Sequence, residues 1–519
     1  MSDNNGSKQV IDAPIDPIIA KDWQEFSTKK KEKRLETIEK IEKLLEDPKT
    51  KLFLSRNKSK ADCNLGICKN ENGNLTTTSF VGAQWLKKEG ENKEPERFIL
   101  DGAGIRLIVK PRFGGNGNAV ATMLDKVLDD DDCSAYLEAE DEQKNKLFAF
   151  LHDEPLIPIE AEYAEDFKIL LIYLYLHSLY ELCRKTIRYQ SVTVRENLTG
   201  RIKGKILINQ HIRHNVVHGR EDRIFCQYQQ FSINCLENQI LKTAMEKSMR
   251  YLSSKSLNLS QAGQWYHFCS AILTQVETRE ITQRDFQGLR FNGVFKHYKK
   301  PINYAKMIIK NISLVQKFTS EERSKKIIEI VPYYINMQML FEFYCRALVR
   351  EQLKSIDGKW KLEPYVGYKK IKGNPAKYKV QVLDKNGDIP ISPFLIPDIW
   401  INKSKEQNIS KEQNIIIDAK YRTLGSLKGE QREITHQLLA YGYLFNANGL
   451  GLIKPWEEEK KECGTLMSSD ALMSNEEVVK KMLSWLINGS TTEDKKNMLK
   501  TSIVNKQHPF ALGELNLTK

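Results

Sequence analysis

The stretch IIIDAK, residues 415–420, ends a branched apolar run with an acid and a base separated by one alanine. Side chains in a strand alternate between faces, so Asp418 and Lys420 project to one side and Ala419 to the other. Upstream, PFLIPDIWI is a second strand candidate, which Asp398 is expected to end. A hairpin closing across the polar stretch 403–414 sets the Asp398 and Asp418 carboxylates side by side. Two like charges held together repel, and a hard divalent cation with oxygen ligands, Mg2+ foremost, is the natural occupant between them. Lys420 is then placed to orient a water or to stabilise charge developing on a phosphate. The plain alternative for an isolated D-x-K is a structural ion pair at a strand end.

Two helices are expected to flank this hairpin. Pro332 opens the first, YYINMQMLFEFYCRALVREQL, where Glu342 flanks a stripe of Met339, Leu340, Phe343 and Tyr344 and brings a third carboxylate toward the site. The second, EITHQLLAYGYLF, turns Ile434, Leu438, Tyr441 and Phe445 inward. Gln437 precedes Tyr441 by one helical turn, so both polar groups point at one core edge, where an inward amide needs a partner. The KEQNI at residue 405 is repeated at 411, as a duplicated hairpin tip would be.

Elsewhere, residues 29–47 carry Leu35, Ile38, Ile41, Leu44 and Leu45 on one helical stripe. FIL and IRLIVKP read as strands, ATMLDKVL as a short helix, and the four acids at 129–132 as a solvated loop. From Ala161 to about Met249, helical stretches bracket a basic segment in which Gly200 and Gly204 mark turns, with KILI and RIFCQY as hairpin arms. Between Arg184 and Arg223 there are ten Lys or Arg against three acids. Such an excess suits a polyanion, and Arg201, Lys203, Lys205, Arg213 and Arg223 are the candidates for contact with DNA or a protein partner. A second basic stretch, 290–306, interleaves Phe291, Phe295, Tyr298 and Tyr304 with lysines; base stacking and helix packing both account for the rings. His211, His214 and His218 fall within the basic segment without accompanying ligands, which favours a phosphate-facing or partner-facing patch over a metal site.

The chain has 519 residues, 40% hydrophobic and 28% charged, with a formal charge of +13. That length suits about three domains at ~150 residues each. Nine scattered cysteines with no C-x-x-C pair fit reduced thiols; Cys63 and Cys68 lack a matching second pair for a metal. The opening MSDNNGSKQVIDAPIDP has neither a basic nor an apolar signal region, and the most apolar run, Ile169 to Cys183, is too short to cross a bilayer. A soluble, cytoplasmic protein without membrane contact is expected. No G-x-x-x-x-G-K-[ST] occurs, since GRIKGK has the wrong spacing and ending, so any nucleotide hydrolysis must belong to another chain. Only Cys345 and Cys463 follow residue 320, too few for a four-cysteine iron–sulfur cluster.

Glu342, PD at 397–398, DAK at 418–420 and Q-x-x-x-Y at 437–441, in this order, resemble the PD-(D/E)xK nucleases that carry a QxxxY motif. LTGRIKGKI (198–206), CQYQQFSINCLENQILKTA (226–244) and the IRLIVKP…ATML element extend the likeness to the McrC family, the nuclease subunits of McrBC-type restriction systems, from about residue 100 onward. The resemblance implies an α/β and α+β multidomain chain. It would comprise an N-terminal helical extension (1–75), a mixed and basic region that docks on a motor and contacts DNA (76–320), and a restriction-endonuclease-like α/β domain (321–519). It further implies that Asp398 and Asp418 bind Mg2+ and that Lys420 is catalytic, with Glu342 and Gln437 assisting. The substrate would be double-stranded DNA, cut to 5′-phosphate and 3′-hydroxyl ends. The partner would be a hexameric McrB-like AAA+ GTPase, which binds the GTP. A stand-alone exonuclease and a non-catalytic adaptor of the motor are the alternatives.

Overall fold

Two units divide the chain, one formed by residues 1–167 with 324–519 and the other by residues 168–323. The computed structural model describes residues 147–255, 260–313 and 327–356 without a break and most of 75–138. It also describes 18–21, 67–69, 360–363, 397–403, 413–421, 428–455, 479–480, 482–483 and 510–515. The helix expected over 29–47, Cys63 and most of the KEQNI loop lie outside the described residues.

The first unit contains two five-stranded sheets. One has the order Ile18–Lys21, Arg106–Lys110, Phe80–Trp85, Tyr333–Asn336, Phe148–Phe150. Its first pairing is parallel and the rest are antiparallel. Because Tyr333–Asn336 is inserted between strands from the first third of the chain, the segment 76–320 is shared between the units. Its part up to residue 167 joins the C-terminal residues.

That strand also corrects the helix start expected at Pro332. The aromatic and β-branched YYI runs extended, as such residues do on a half-buried sheet, and the helix is Met337–Ile356. Asn336 caps it, its Oδ1 accepting from the Met339 N–H at 3.3 Å. A second correction concerns the acids at 130–132, Asp129 lying outside the described residues. Asp131 and Asp132 occupy the first turn of a helix, Asp131–Glu138, where they complement the exposed N–H groups. Asp130 accepts from the Asp132 N–H at 3.0 Å. Asp132 is ion-paired with Arg346 and Arg350 on the Met337–Ile356 helix, and Asp130 with Arg350.

The other sheet of this unit has the order Trp360–Leu362, Ile399–Lys403, Gln413–Ala419, Gly449–Pro455, Phe510–Leu515. Its first two pairings are antiparallel and its last two parallel. Ile399, Ile401, Ile415 and Ile417 are buried on one face. Trp400 and Ile416, on the other, pack with Ile434, Leu438, Tyr441 and Phe445 of the Lys428–Leu444 helix. The inward stripe expected for that helix is therefore the one it buries.

Asp166, in the first turn of the helix Glu165–Lys185, is buried, and its Oδ1 has no hydrogen-bond partner. Burial, then the Glu165 carboxylate, raise its pKa to about 7 against the opposing pull of Lys110. The folded chain thus holds a proton between about pH 4 and pH 7 that the unfolded chain has released, so this group's contribution to stability falls as pH rises through that window. Asp166→Asn is expected to remove that slope and to raise the urea midpoint at pH 8 but not at pH 4. Denaturation of both proteins at the two pH values checks it.

In the second unit the helices Leu236–Ser253 and Lys299–Ser313 pack together. From them a long antiparallel ribbon extends, Gln190–Thr199 paired with Arg223–Ser232 over ten residue pairs, with Lys205–Ile206 on the other edge of the second strand. KILI and RIFCQY do pair, as expected. The larger partner, Gln190–Thr199, has no counterpart among the strands read from the sequence, since in QSVTVRENLT the alternation of Val192 and Val194 is interrupted by Glu196 before Leu198. The ribbon is mostly exposed and has little core to advertise it. Its base is tied by a polar knot: the Tyr298 hydroxyl accepts from the Arg188 N–H at 2.7 Å and donates to Asn238 Oδ1 at 2.9 Å. Asn238 Nδ2 in turn donates to the Arg188 and Ile233 carbonyls. Tyr298, buried, is thus a packing residue and offers no stacking surface.

Gly200 and Gly204 mark turns as expected, both with positive φ, 67° and 69°. They differ in surroundings. A Cβ on Gly204 would come 2.4 Å from the Gln227 carbonyl oxygen, whereas nothing lies within 4 Å of one on Gly200. Gly204→Ala is expected to cost about 2–3 kcal/mol and Gly200→Ala about 1 kcal/mol; equal unfolding midpoints for the two would contradict this.

Candidate active site

The antiparallel register pairs Ile399 with Ile417. One step further, residue 398 faces residue 418, so the hairpin closes as the sequence suggested. Asp398 stands just before its strand and does not end it, since Pro397 has no N–H to give to a ladder. Its side chain serves as the missing rung: Asp398 Oδ2 accepts from the Ala419 N–H at 2.8 Å. The next rung is on the other side, where the Lys420 N–H donates to the Ile453 carbonyl at 2.9 Å. The backbone of DAK is therefore pinned at Ala419 by the Asp398 side chain and at Lys420 by a main-chain bond.

Asp418 is 0% exposed, and neither carboxylate oxygen has a hydrogen bond of good geometry. Its compensation is ionic. Lys420 Nζ lies 3.0 Å from Asp418 Oδ2 and 3.9 Å from Asp398 Oδ2. Burial, and then the neighbouring Asp398, push the Asp418 pKa well above the ordinary carboxylate value despite Lys420. For Lys420, burial works toward the neutral amine, but Asp398 and Asp418 outweigh it and hold the ammonium above its usual pKa. The site holds two acids and one firmly protonated base.

Gln437 Nε2 donates to the Tyr441 hydroxyl at 2.8 Å, which joins the two polar groups of that helix. Burial and the charges of Asp398 and Asp418 raise the Tyr441 pKa, so its hydroxyl stays protonated beside the acids. Glu342 is half-buried on the Met337–Ile356 helix, and its charge adds to the field that keeps Lys420 protonated. It does not join the two aspartates in a ligand cluster: among the described residues no three His, Cys, Asp or Glu converge in a metal-holding group.

The donor set still fits a hard cation. Two carboxylates meet at one point, and the buried one has oxygen atoms without hydrogen bonds, an arrangement that a divalent ion completes with water, backbone or phosphate oxygens as further ligands.

Sequence reasoning missed Arg346. Its guanidinium, 1% exposed, donates to the Asp398 main-chain carbonyl at 2.8 Å. An arginine inside the otherwise apolar turn YCRAL, residues 344–348, was the signal available.

The five basic candidates lie on the ribbon unit. Arg201, Lys203, Lys205, Arg213 and Arg223 are all exposed. Lys203 Nζ sits 3.9 Å from the Tyr228 ring centre, and Arg223 is 3.7 Å from Asp222. Around them Ile202, Ile208, Ile212, Val216 and Val217 are exposed too, so the patch is apolar as well as basic. His211 shares a contact with Asn215, and His214 stacks on Phe225. No described helix is long and apolar enough to cross a membrane.

Residues 104–455 match the family described as McrBC 5-methylcytosine restriction system component. This span is well over half of the chain, which belongs to that family. No curated protein matches the sequence. Two solved assemblies from Thermococcus gammatolerans are similar at 14% identity. One is a refined half-complex from a tetradecameric assembly of McrB AAA+ hexamers with bound McrC, at a TM-score of 0.31, covering 86% of this chain and 89% of that one. The other is the McrBC complex, at a TM-score of 0.27, covering 65% and 88%.

Proposed function

We propose that this chain is a McrC-type subunit, a Mg2+-dependent endodeoxyribonuclease of the PD-(D/E)xK type that cuts double-stranded DNA within a GTP-driven restriction complex. The observation that carries the reading is the meeting of Asp398 and Asp418 across a hairpin, with the Lys420 ammonium beside both and the oxygens of Asp418 lacking hydrogen bonds. A purely structural ion pair is a weaker explanation, because one lysine leaves two acids undercompensated in a buried place.

Asp398 and Asp418 would hold the Mg2+. When bound, the ion supplies Lewis acidity, making a nucleophilic hydroxide available near neutral pH and drawing charge from the phosphodiester. Lys420, kept protonated by the acids, binds a phosphate oxygen and neutralises charge that builds there as the bond to the leaving oxygen breaks. The Gln437 amide gives its N–H to Tyr441, which leaves its oxygen as an acceptor for the attacking water. Glu342 contributes its charge to the Lys420 field.

The GTP would be bound by a hexameric McrB-like AAA+ GTPase. Family membership and the absence of a P-loop in this sequence support that partner. The exposed basic and apolar ribbon patch is the part proposed to meet DNA or the motor. Arg201→Glu with Lys203→Glu is expected to weaken that binding by about tenfold or more at low salt, less at high salt, as binding titrations at two ionic strengths would reveal. Unchanged binding at low salt would remove the patch from the account.

The reaction itself is tested with covalently closed circular DNA carrying 5-methylcytosine, incubated with this chain, the GTPase, GTP and Mg2+. Opened circles are expected. Intact circles with shortened linear DNA would indicate an exonuclease, and stimulated GTPase activity with no cutting at all would indicate an adaptor.

A further inference from the structure

We propose that Arg346 is the positioning residue of the metal site, fixing the backbone from which Asp398 reaches its partner. The inference rests on the nuclease reading above. Arg346 comes from the middle of the Met337–Ile356 helix and is almost wholly buried, yet every direction of its guanidinium is used. Nη1 donates to the Asp398 carbonyl at 2.8 Å, and Nη2 donates to the Glu363 carbonyl at 2.6 Å. Nε donates to Asp132 Oδ2 at 2.9 Å, with Nη2 on the same oxygen. Asp132 is also gripped by Arg350, which pairs with Asp130 as well.

The geometry assigns a division of labour. Asp398 lies outside the ladder, with Pro397 before it, so no strand pairing of its own fixes its main chain. Its side chain is bound to the Ala419 N–H and its carbonyl to Arg346, and these two bonds set where the carboxylate lies relative to Asp418. Glu363 follows the edge strand Trp360–Leu362, and its N–H donates to the Trp400 carbonyl at 2.8 Å. The same guanidinium therefore ties the start of the Ile399–Lys403 strand, at Asp398, to the end of its edge neighbour, Trp360–Leu362, at Glu363. Asp132 neutralises this buried cation and aims its fork, with burial opposed by Arg346 and Arg350, which together hold the Asp132 carboxyl below its ordinary pKa. Asp132 thus acts on the site from another part of the chain, through Arg346.

A purely structural ion-pair cluster makes a different prediction from a positioning one, and Arg350 separates them. Arg350 belongs to the same cluster but bonds to neither Asp398 nor Glu363 in the contacts above. The experiment measures Mn2+ binding to the full chain, by electron paramagnetic resonance titration, alongside urea unfolding, for wild type, Arg346→Lys, Arg350→Lys, Asp132→Asn and Asp418→Asn. Arg346→Lys keeps the charge but cannot serve all its acceptors at once. It is expected to weaken Mn2+ binding by about tenfold or more, beyond any change shared with Arg350→Lys of similar stability. Asp132→Asn, which leaves the arginine in place but unaimed, is expected to weaken it in the same direction, and it decides the question should Arg346→Lys fail to fold. Wild-type Mn2+ affinity in folded Arg346→Lys or Asp132→Asn, or losses that merely follow stability in all the cluster variants, would overturn the proposal while leaving the nuclease reading intact. Wild-type protein that binds Mn2+ no better than Asp418→Asn would overturn both.

Discussion

Asp418→Asn should abolish DNA cleavage and leave the fold at least as stable as it is. The variant keeps the shape and volume of the side chain but removes the charge for which a cation is needed, and loss of the several kcal/mol that a bound metal contributes corresponds to a fall of roughly a thousandfold or more. Stability should go the other way. Asp418 is fully buried, has no hydrogen bond of good geometry and shares its one cation, Lys420, with Asp398, so its negative charge is a standing cost. An amide is cheaper to bury, and Lys420 retains Asp398 at 3.9 Å. A cleavage assay and a urea midpoint on the same preparation check both halves. A variant inactive only because it unfolds at lower urea would count against the account.

Lys420→Ala should also abolish cleavage, but with the opposite effect on the fold. Removing the ammonium leaves Asp398 and Asp418 facing each other without a cation, and the loss of one partner of a largely buried pair costs about 3 kcal/mol. The loss depends on pH. Asp418 already has a raised pKa, and without Lys420 to oppose burial and Asp398 it rises further. The folded variant then takes up a proton more readily than the unfolded chain as pH falls. The deficit is therefore larger at high pH and shrinks as pH falls and Asp418 takes up a proton. Added Mg2+ should restore part of the stability at pH 8 by occupying the place of the missing charge. A deficit independent of pH and Mg2+ would mean that Lys420 serves packing alone.

The contrast between the two variants explains which parts of this site were legible beforehand. Asp418 and Lys420 are two residues apart on one strand, so their shared face follows from strand geometry alone. Asp398 required one further step, a hairpin, and the isoleucine-rich runs on either side of the polar stretch supplied it. Gln437 and Tyr441 are a helical turn apart, and their hydrogen bond is what that spacing allows. These are short-range patterns, in which chain geometry nearly decides who meets whom.

Arg346 and Asp132 were invisible for the converse reason. They lie 214 residues apart and meet only because the Met337–Ile356 helix and the acid-capped Asp131–Glu138 helix pack in one unit. No periodicity predicts such a pairing. The acids at 129–132 looked like a solvated loop because a run of carboxylates usually is one. For Asp130 and Asp132, the buried Arg346, the half-buried Arg350 and a helix N-terminus changed that environment. Likewise Tyr333–Asn336 became a strand because a sheet edge from another part of the chain was available to receive it, whereas local propensity only permitted it. The ribbon strand Gln190–Thr199 escaped notice for want of a core, since an exposed strand shows little of the alternation by which strands are read.

The account stands on one place in the chain, and iron-directed backbone cleavage tests it most directly. Fe2+ replaces Mg2+ at hard oxygen sites, and with ascorbate and peroxide it breaks the polypeptide close to where the ion sits. Cuts beside residues 398 and 418, suppressed by excess Mg2+ and absent from Asp418→Asn, are the expected result. Cuts that fall elsewhere, at the histidines of 211–218 for example, or that persist unchanged in Asp418→Asn, would contradict it.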